Sequence, residues 1–401
     1  MLQTTNRKAL VAALTLARER EWQLLLLPAC WSKEKTAQSS RTFRPIAILN
    51  WSEPDQRLIF AEGPGGAEDL AQPGIVLFTS GTTGTPKAVS HSWRSITACT
   101  GFVPERLRGL IWYSGYQPIS FAGLQMFFSA SESQGVFAVS SAGSSFQHQA
   151  RHLSDARATI VSGAPTWWRM LIAAWPSGVP KPALDQATLG GEIVDQATLD
   201  LVRAQFSPGR LTHVYASSEA GTAIAVSDGL AGFPCSVLAS DREVRLRLVD
   251  GELEVQSPYS MRGYLGAQGE GPLPQTQHGS WVKTGDLVEL RGDRHFFTGR
   301  KDGRMNVGGL KVSPEEVEAA VLDCPDVVDC VVYGKSSPIV GTILCADVVP
   351  RRPNTFDSAA IRRHLQSCLP LHKVPRIIRA IDAVRMSAAG KKLRIELSDE
   401  R

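Results

Sequence analysis

The stretch VLFTSGTTGTPKAVSHS, residues 76–92, places three chain breakers, Gly81, Gly84 and Pro86, among five hydroxyl side chains directly after an apolar run. Gly81 and Gly84 open backbone angles closed to other residues and let a bound group approach the main chain closely. Thr79, Ser80, Thr82, Thr83 and Thr85 supply hydroxyls beside free backbone N–H groups, and Lys87 supplies a point charge. A buried strand running into such a loop makes a cradle for an anion, a phosphate above all. It is not a Walker A loop, which needs Gly at position 86 and Ser or Thr at 88, where the chain has Pro86 and Ala88. A P-loop nucleotide hydrolase is therefore disfavoured. Taken alone, the segment would also suit a Gly/Thr surface loop.

Outward from this segment, short apolar runs alternate with helical patterns: GIVLFT (74–79), GLIWYS (109–114), GVFAVS (135–140), ATIVSG (158–163) and LTHVYA (211–216). Several end in small residues or breakers, as buried parallel strands of an α/β sheet do. From residue 230 to 300 the texture becomes β-rich, as in VRLRLVDGELEVQ (244–256), where Asp250-Gly251 reads as a tight hairpin turn in a small barrel or meander. Beyond Arg300 a polar, glycine-rich stretch precedes SPEEVEAAVLDC. There Ser313 reads as a helix N-cap, with Pro314 at the first position and Glu315 and Glu316 in the first turn. A compact α+β unit follows, and the boundary is placed at Asp302, giving domains 1–301 and 302–401.

Composition sets limits. A chain of 401 residues is long for one core, so two or three domains are expected. Hydrophobic content of 43% and charged content of 20% describe an ordinary globular protein. The net charge of +4 comes without any Lys/Arg run of the kind that marks nucleic-acid binding, and small anionic substrates explain its sign as well. Seven cysteines, at 30, 99, 235, 324, 330, 345 and 368, show neither CxxC spacing nor pairing regularity and read as reduced structural thiols. The start, MLQTTNRKALVAALTLARERE, reads as an amphipathic helix rather than a signal peptide, and the LLLL run at 24–27 is too short to span a bilayer. A cytoplasmic location is expected.

Four further stretches complete the pattern: YASSEAG (215–221), WVKTGDL (281–287), FTGRKDGRMNVGGLKVSPEEVE (297–318) and SAAGKKLR (387–394). Together with TSGTTGTPK, in this order and spacing, they resemble the signature set of the adenylate-forming superfamily. That superfamily contains acyl-CoA and aryl-CoA ligases, the adenylation domains of nonribosomal peptide synthesis and firefly luciferase. The resemblance runs from about residue 74 to 395. It implies a large N-terminal domain of α/β sheet subdomains with a small β-rich subdomain, followed by a small mobile α+β domain hinged at Asp302. The implied reaction joins a carboxylate to the α-phosphate of ATP, releases magnesium pyrophosphate and passes the acyl group to a thiol. Positioning and charge neutralisation carry most of such a reaction.

Residue by residue, the resemblance assigns Thr79, Ser80, Gly81, Thr82, Thr83, Gly84 and Lys87 to the phosphate loop. Tyr215 matches the aromatic against adenine, and Gly191-Glu192 the backbone along its other edge. Ser218 stands where a threonine is usual and keeps its hydroxyl, while Glu219 matches the magnesium ligand, a hard oxygen suited to that ion. Asp286 and Arg300 match the pair on the ribose hydroxyls. Lys391 matches the catalytic lysine that bridges the substrate carboxylate and the α-phosphate. Each residue has an ordinary alternative: Glu219 a capping acid, Asp286 a turn residue, Tyr215 a core aromatic, Arg300 a surface cation, Lys391 and Lys392 a solvated pair.

The chain also departs from the family. The phosphate loop arrives early, so much of the first subdomain is expected to be missing or reduced. In GYQPISFAGLQMFF (115–128), Ser120 takes the place of a histidine found in many ligases and Phe121 follows it. No aspartate lies between 113 and 128 to meet a substrate ammonium, and a buried ammonium without a counter-charge is costly. An α-amino acid substrate is therefore disfavoured. Phe121, Phe127 and Phe128 suggest an apolar or aromatic acid, or are ordinary core residues. Ala88 and Arg385 are milder departures, at positions where glycine and proline are usual.

The resemblance thus implies an AMP-forming acid–thiol ligase using ATP, Mg2+ and CoA or carrier-protein pantetheine, of the o-succinylbenzoate–CoA ligase type. The segment GGLKVSP (308–314) would line the pantetheine tunnel. Transfer to a carrier protein or an amine, and a non-catalytic nucleotide-binding module, stay open as alternatives. Arg351, Arg352, Arg362, Arg363, Lys373 and Arg376 would either face an acidic carrier or form a solvated face.

Overall fold

A computed structural model describes residues 1–394 except 4–5, 29–30, 44–46, 53–56, 63–71, 80–86, 142, 241, 266–279, 308–309, 338–340, 353, 355 and 387–391. The chain opens with a short strand, β1 (Leu2–Gln3), then helix α1 (Arg7–Glu19) and the leucine run as β2 (Gln23–Leu27). Asn6 caps α1 by accepting from the N–H of Ala9, and Ala9, Leu10, Ala13, Leu14 and Ala17 form its buried stripe. The N-terminal helix is as expected, but a strand precedes it. Helix α2 (Lys33–Phe43), hairpin β3 (Ala47–Ser52) and β4 (Arg57–Glu62), then β5 (Gly74–Thr79) and β6 (Lys87–Ser92) follow. Strand β5 is parallel to β2 and antiparallel to β6, so GIVLFT is parallel on one side only.

The second segment alternates strands with helices. After α3 (Trp93–Ile96) come β7 (Ile111–Ser114), α4 (Phe121–Glu132), β8 (Val136–Val139), α5 (Phe146–Asp155), β9 (Ile160–Gly163) and α6 (Pro165–Ala173). Then β10 (Gln186–Gly190), α7 (Gln196–Phe206), β11 (Arg210–Ser217) and β12 (Gly221–Val226) complete a six-stranded sheet in the order β12-β11-β10-β9-β7-β8. All its pairs are parallel except β11 with β12. Tyr113, Trp168, Leu153, Ile160 and Leu189 fill the core between this sheet and its helices.

The β-rich segment holds β13 (Phe233–Pro234), β14 (Arg245–Val249), β15 (Glu252–Gln256), β16 (Gly263–Leu265), β17 (Val282–Arg291) and β18 (Arg294–Arg300). Its antiparallel sheet runs β13-β18-β17-β15-β14. Asp250 and Gly251, at φ 51° and 77°, turn β14 into β15, the left-handed pair that a two-residue hairpin needs. Strand β16 leaves this sheet and pairs with β6, closing the edge of the seven-stranded first sheet.

The C-terminal unit has hairpin β19 (Met305–Val307) and β20 (Leu310–Val312), α8 (Pro314–Leu322), β21 (Val327–Ser337), β22 (Gly341–Pro350), α9 (Ser358–Cys368) and β23 (Ile377–Ala380). Pro314 opens α8, with Glu315 and Glu316 in the first turn as read from the sequence. Ser313 sits at the cap position but makes no capping bond; its hydroxyl donates to Glu315 Oε2 at 2.7 Å instead. A large α/β part with a β-rich sheet, followed by a small α+β unit, is the architecture expected. Among the described residues, no helix is long and apolar enough to cross a membrane.

Candidate active site

Three sheets converge where β5 meets β6, β11 ends and β17 pairs with β18. The register of β11 against β12 shifts between Tyr215 and Ala216, an irregularity of the kind that re-aims side chains near sites. The Tyr215 ring stacks on Phe297 of β18, centroids 4.6 Å apart and 17° from parallel. Its hydroxyl donates to Asp286 Oδ2 at 2.6 Å. Burial first, and then the Asp286 charge, push this phenol far above its ordinary range, so it stays a donor.

Asp286 faces Arg300 across the β17–β18 ladder, and Arg300 Nη1 donates to Asp286 Oδ1 at 3.4 Å. Gly285, at φ 74°, lies so close that an added Cβ would meet the Arg300 guanidinium at 3.0 Å. Arg300 also reaches Asp302, with Nε donating to Oδ1 at 3.0 Å. One guanidinium thus serves both carboxylates.

Beyond β11, Ser217 Oγ accepts from the N–H of Ala220 at 3.0 Å and shapes the turn that carries Ser218 and Glu219. The Glu219 carbonyl takes the N–H of Met261, and its Oε1 accepts the Tyr264 hydroxyl at 2.9 Å. Tyr264 lies on β16, and the Lys87 ammonium sits 5.1 Å from the centre of its ring. Pairing of β16 with β6 therefore brings Lys87, the first residue of β6, to the partner of Glu219. Burial, then the Glu219 charge, raise the Tyr264 phenol above its ordinary range. Sequence reasoning missed Tyr264, because a tyrosine between Gly263 and Leu265 carries no local signal.

Gly191 and Glu192 follow β10. The Tyr116 hydroxyl donates to the Gly190 carbonyl at 3.0 Å, under this turn. The sequence reading gave Glu192 a backbone role, yet its side chain makes two bonds. Oε2 accepts from Thr166 N at 3.0 Å, and Oε1 accepts from the backbone N–H of Lys392 at 3.2 Å. Ser80, Gly81, Thr82, Thr83, Gly84 and Lys391 lie outside the described residues, as do Thr85, Gly308 and Gly309. Thr79 ends β5 opposite Lys87.

Lys392 is not a solvated cation. It is 6% exposed, and its ammonium donates to Asp329 Oδ1 at 2.7 Å and to the Cys330 carbonyl at 2.6 Å. Burial alone would lower its pKa, but Asp329 and Glu318 outweigh that and raise it. Asp329 is fully buried; burial would raise its pKa, and Arg169 with Lys392 holds it low. Sequence reasoning missed these partners; the signal that could have found them is the lone Arg169 inside the apolar helix PTWWRMLIA.

Two positions on the acyl side take ordinary structural roles. Ser120 Oγ accepts from Gly123 N at 3.1 Å and donates to the Gln117 carbonyl, so it is a helix cap. Phe121 and Phe128 are buried in the core between α1, α4 and the first sheet, and Phe127 packs against it, which is the core reading. His91, also in that core, has its ring 5.4 Å from Phe121; burial first, with Arg262 adding, pulls its pKa down to about 4, so it is neutral near pH 7. Of the basic C-terminal positions, Arg351 binds the Pro325 carbonyl, Arg362 those of Pro375 and Arg376, and Lys373 pairs with Glu316.

Among the described residues, no three His, Cys, Asp or Glu side chains gather into a metal cage. The single hard oxygen donor Glu219 fits magnesium, which keeps several waters and takes one or two carboxylates plus substrate phosphates.

Comparison with known proteins names the class. Residues 3–265 match the AMP-binding enzyme family and 316–391 the AMP-binding enzyme C-terminal domain. The chain belongs to the AMP-binding enzyme family. The match begins at residue 3, so the first seventy residues belong to the same domain as the phosphate loop. The chain is 29% identical over 349 residues to isonitrile lipopeptide synthase of Streptomyces coeruleorubidus, covering 81% of this chain and 23% of that protein. It is 28% identical over 359 residues to 2-succinylbenzoate–CoA ligase of Geobacillus kaustophilus, covering 82% and 69% respectively. The chain thus spans under a quarter of the synthase and about two thirds of the ligase. Its fold is that of o-succinylbenzoate CoA synthetase from Bacillus subtilis, solved with an acyl-adenylate (TM-score 0.71, 18% identity, 100% of this chain and 87% of that one). ATP-bound MatB from Rhodopseudomonas palustris is similar too (TM-score 0.75, 20% identity, 98% and 86%).

Proposed function

We propose that this chain activates a carboxylic acid with ATP and passes the acyl group to a pantetheine thiol, that of CoA. The carboxylate attacks the α-phosphorus, the bond to pyrophosphate breaks, and the thiol then attacks the acyl carbon and releases AMP. The observation that carries this reading is the convergence of Lys87, Tyr264 and Glu219 with Tyr215, Asp286 and Arg300, within a chain of the AMP-binding enzyme family.

In this reading Thr79, Lys87 and the 80–86 loop hold the phosphates, Tyr215 lies against adenine, and Asp286 with Arg300 takes the ribose hydroxyls. Ser218 and Glu219 face the phosphates, and Glu219 would hold magnesium; when bound, that ion neutralises charge on the departing pyrophosphate. Lys391 bridges the acid and the α-phosphate. Asp302 is the pivot between domains 1–301 and 302–401. With no aspartate at 113–128 the acid is one without an α-ammonium, an apolar or aromatic acid in the sequence reading, and with Arg351, Arg362 and Lys373 already engaged the acceptor is CoA rather than an acidic carrier. Dependence on ATP and CoA suits a cytoplasmic enzyme. A panel of 2-succinylbenzoate, 3-hydroxybenzoate, 4-coumarate and anthranilate, read as acid-dependent exchange of labelled pyrophosphate into ATP and as CoA-dependent thioester, tests it. Absence of exchange with every acid would favour the non-catalytic binding module, and thioester without CoA selectivity a different acceptor.

Two substitutions test the nucleotide assignments. Glu219→Gln is expected to lower exchange about a hundredfold, the scale of one lost electrostatic contact to developing charge, and to raise the magnesium requirement with an unchanged circular dichroism spectrum. Near-normal exchange at saturating magnesium would remove Glu219 from that role. Asp286→Ala is expected to raise the KM for ATP, because the ribose hydroxyls lose a charge-assisted acceptor worth about 1.5 to 3 kcal/mol. The Tyr215 hydroxyl loses its partner in the same variant, so Asp286→Asn, which keeps an acceptor there, should recover part of the loss.

A further inference from the structure

The side chain of Arg169 on α6 is 7% exposed, and it is the point where the large part of the chain grips the C-terminal unit. Its Nη1 donates to Thr198 Oγ1 at 2.8 Å and to Asp195 Oδ2 at 3.3 Å, and its Nη2 to Thr166 Oγ1 at 3.0 Å, all within the large part. The same Nη2 donates to Asp329 Oδ1 on β21 at 2.9 Å. Asp329 is itself paired with Lys392, which Glu192 grips by its backbone N–H. Around these charges Met170 of α6 packs with Val328, Val331, Val349 and Val384 of the C-terminal unit.

The counter-charges are divided evenly across this interface. Arg169 keeps Asp195 on its own side and Asp329 keeps Lys392 on its own side, so separation of the two bodies strands no buried charge. Uncompensated buried ions make separation expensive, whereas pre-paired ones make an interface reversible. Arg394 anchors the far end of the segment within the C-terminal unit, donating to Glu318 Oε2 at 2.9 Å and pairing with Glu315 at 3.1 Å. The segment is also closed by the Leu393 N–H on the Arg385 carbonyl at 2.9 Å. Docking is therefore felt one residue away from Lys391.

Resting on the proposed acid activation, we infer that Arg169 and Glu192 are positioning residues, a releasable latch that sets the Lys391 segment at the nucleotide site for the first half-reaction only. They touch neither substrate. They act through Asp329 and the Lys392 backbone. When the C-terminal unit leaves for thiol transfer, both contacts open and each side stays neutralised.

The test uses the full chain as wild type, Arg169→Met and Arg169→Lys, with the best acid of the panel above. Pyrophosphate exchange should fall about tenfold or more in Arg169→Met, within the range for coupling inside one ionic network, and recover in part in Arg169→Lys. Transfer of the supplied acyl-adenylate to CoA should not fall. Equal loss of both half-reactions, or loss of neither, overturns the latch. A second readout needs no acid: amide hydrogen exchange should accelerate in peptides covering 327–332 and 385–394 of Arg169→Met, with the six-stranded sheet unchanged. Unchanged protection overturns the latch even if the wild type activates acids. Accelerated exchange in a chain inert toward every acid supports the latch contacts and overturns the proposed activation instead.

Discussion

Lys391→Ala is expected to abolish acid-dependent exchange of pyrophosphate into ATP and to leave intact the transfer of a chemically supplied acyl-adenylate to CoA. The reason is a division of labour. A lysine that bridges two anions at the moment they react stabilises charge only in that step, and loss of one such group costs on the order of a hundred- to a thousandfold. Once the acyl-adenylate exists, its attack by a thiol makes no use of that bridge. Lys392 cannot stand in, because its ammonium is spent on Asp329 and the Cys330 carbonyl inside the C-terminal unit. Parallel loss of both half-reactions would show that Lys391 serves the fold instead.

Asp302→Pro is expected to give the opposite result, with adenylate formation retained and thioester formation lost by a comparable factor. Asp302 lies in the turn at 301–303 between β18 and β19, where Gly303 N donates to the Arg300 carbonyl at 3.2 Å and Lys301 N to that of Gly285 at 2.7 Å. Proline fixes φ near −65° and so removes the torsional freedom a pivot requires. Its carboxylate also receives Arg300, so a backbone effect must be separated from a charge effect. Asp302→Ala does this: it drops the carboxylate, keeps the free backbone, and should transfer normally. If proline and alanine impair the same step equally, the turn is not a pivot.

The parts of the architecture written in short-range pattern were legible. All five of the apolar runs became strands of the first or second sheet within a residue or two of their expected ends, Asp250-Gly251 made its hairpin, and Pro314 opened its helix. What failed depends on partners distant in sequence. Strand β1 is two residues long and has no periodicity to read; it exists because β2 and β3 flank it. Ser313 and Ser120 show the same hydroxyl chemistry with different outcomes, since Glu315 lies within reach of one and Gly123 N of the other. At the candidate site, the residues that name a chemistry were read from motifs. The residues that hold them, Tyr264, Arg169, Asp329 and Lys392, were not, because a buried pair such as Arg169 and Asp329 is 160 positions apart in the chain. Adjacency to Lys391 made Lys392 look solvated, whereas burial and two carboxylates define it.

The return of β16 to the first sheet makes the order of synthesis matter. Strand β6 ends at residue 92, yet the strand that covers its open edge begins at residue 263. Until that later stretch has been made, β6 presents unpaired N–H and C=O groups, the arrangement that invites pairing with another chain. Such distant pairing is also slow to form, because a long loop must close before any contact rewards it. A chain cut short of residue 263 would carry that open edge permanently, and would separate Lys87 from the Tyr264 ring as well. The same pairing that covers the edge of β6 thus carries Tyr264 to Lys87 and Glu219, so closure of the first sheet and assembly of this side-chain cluster depend on one late stretch of chain.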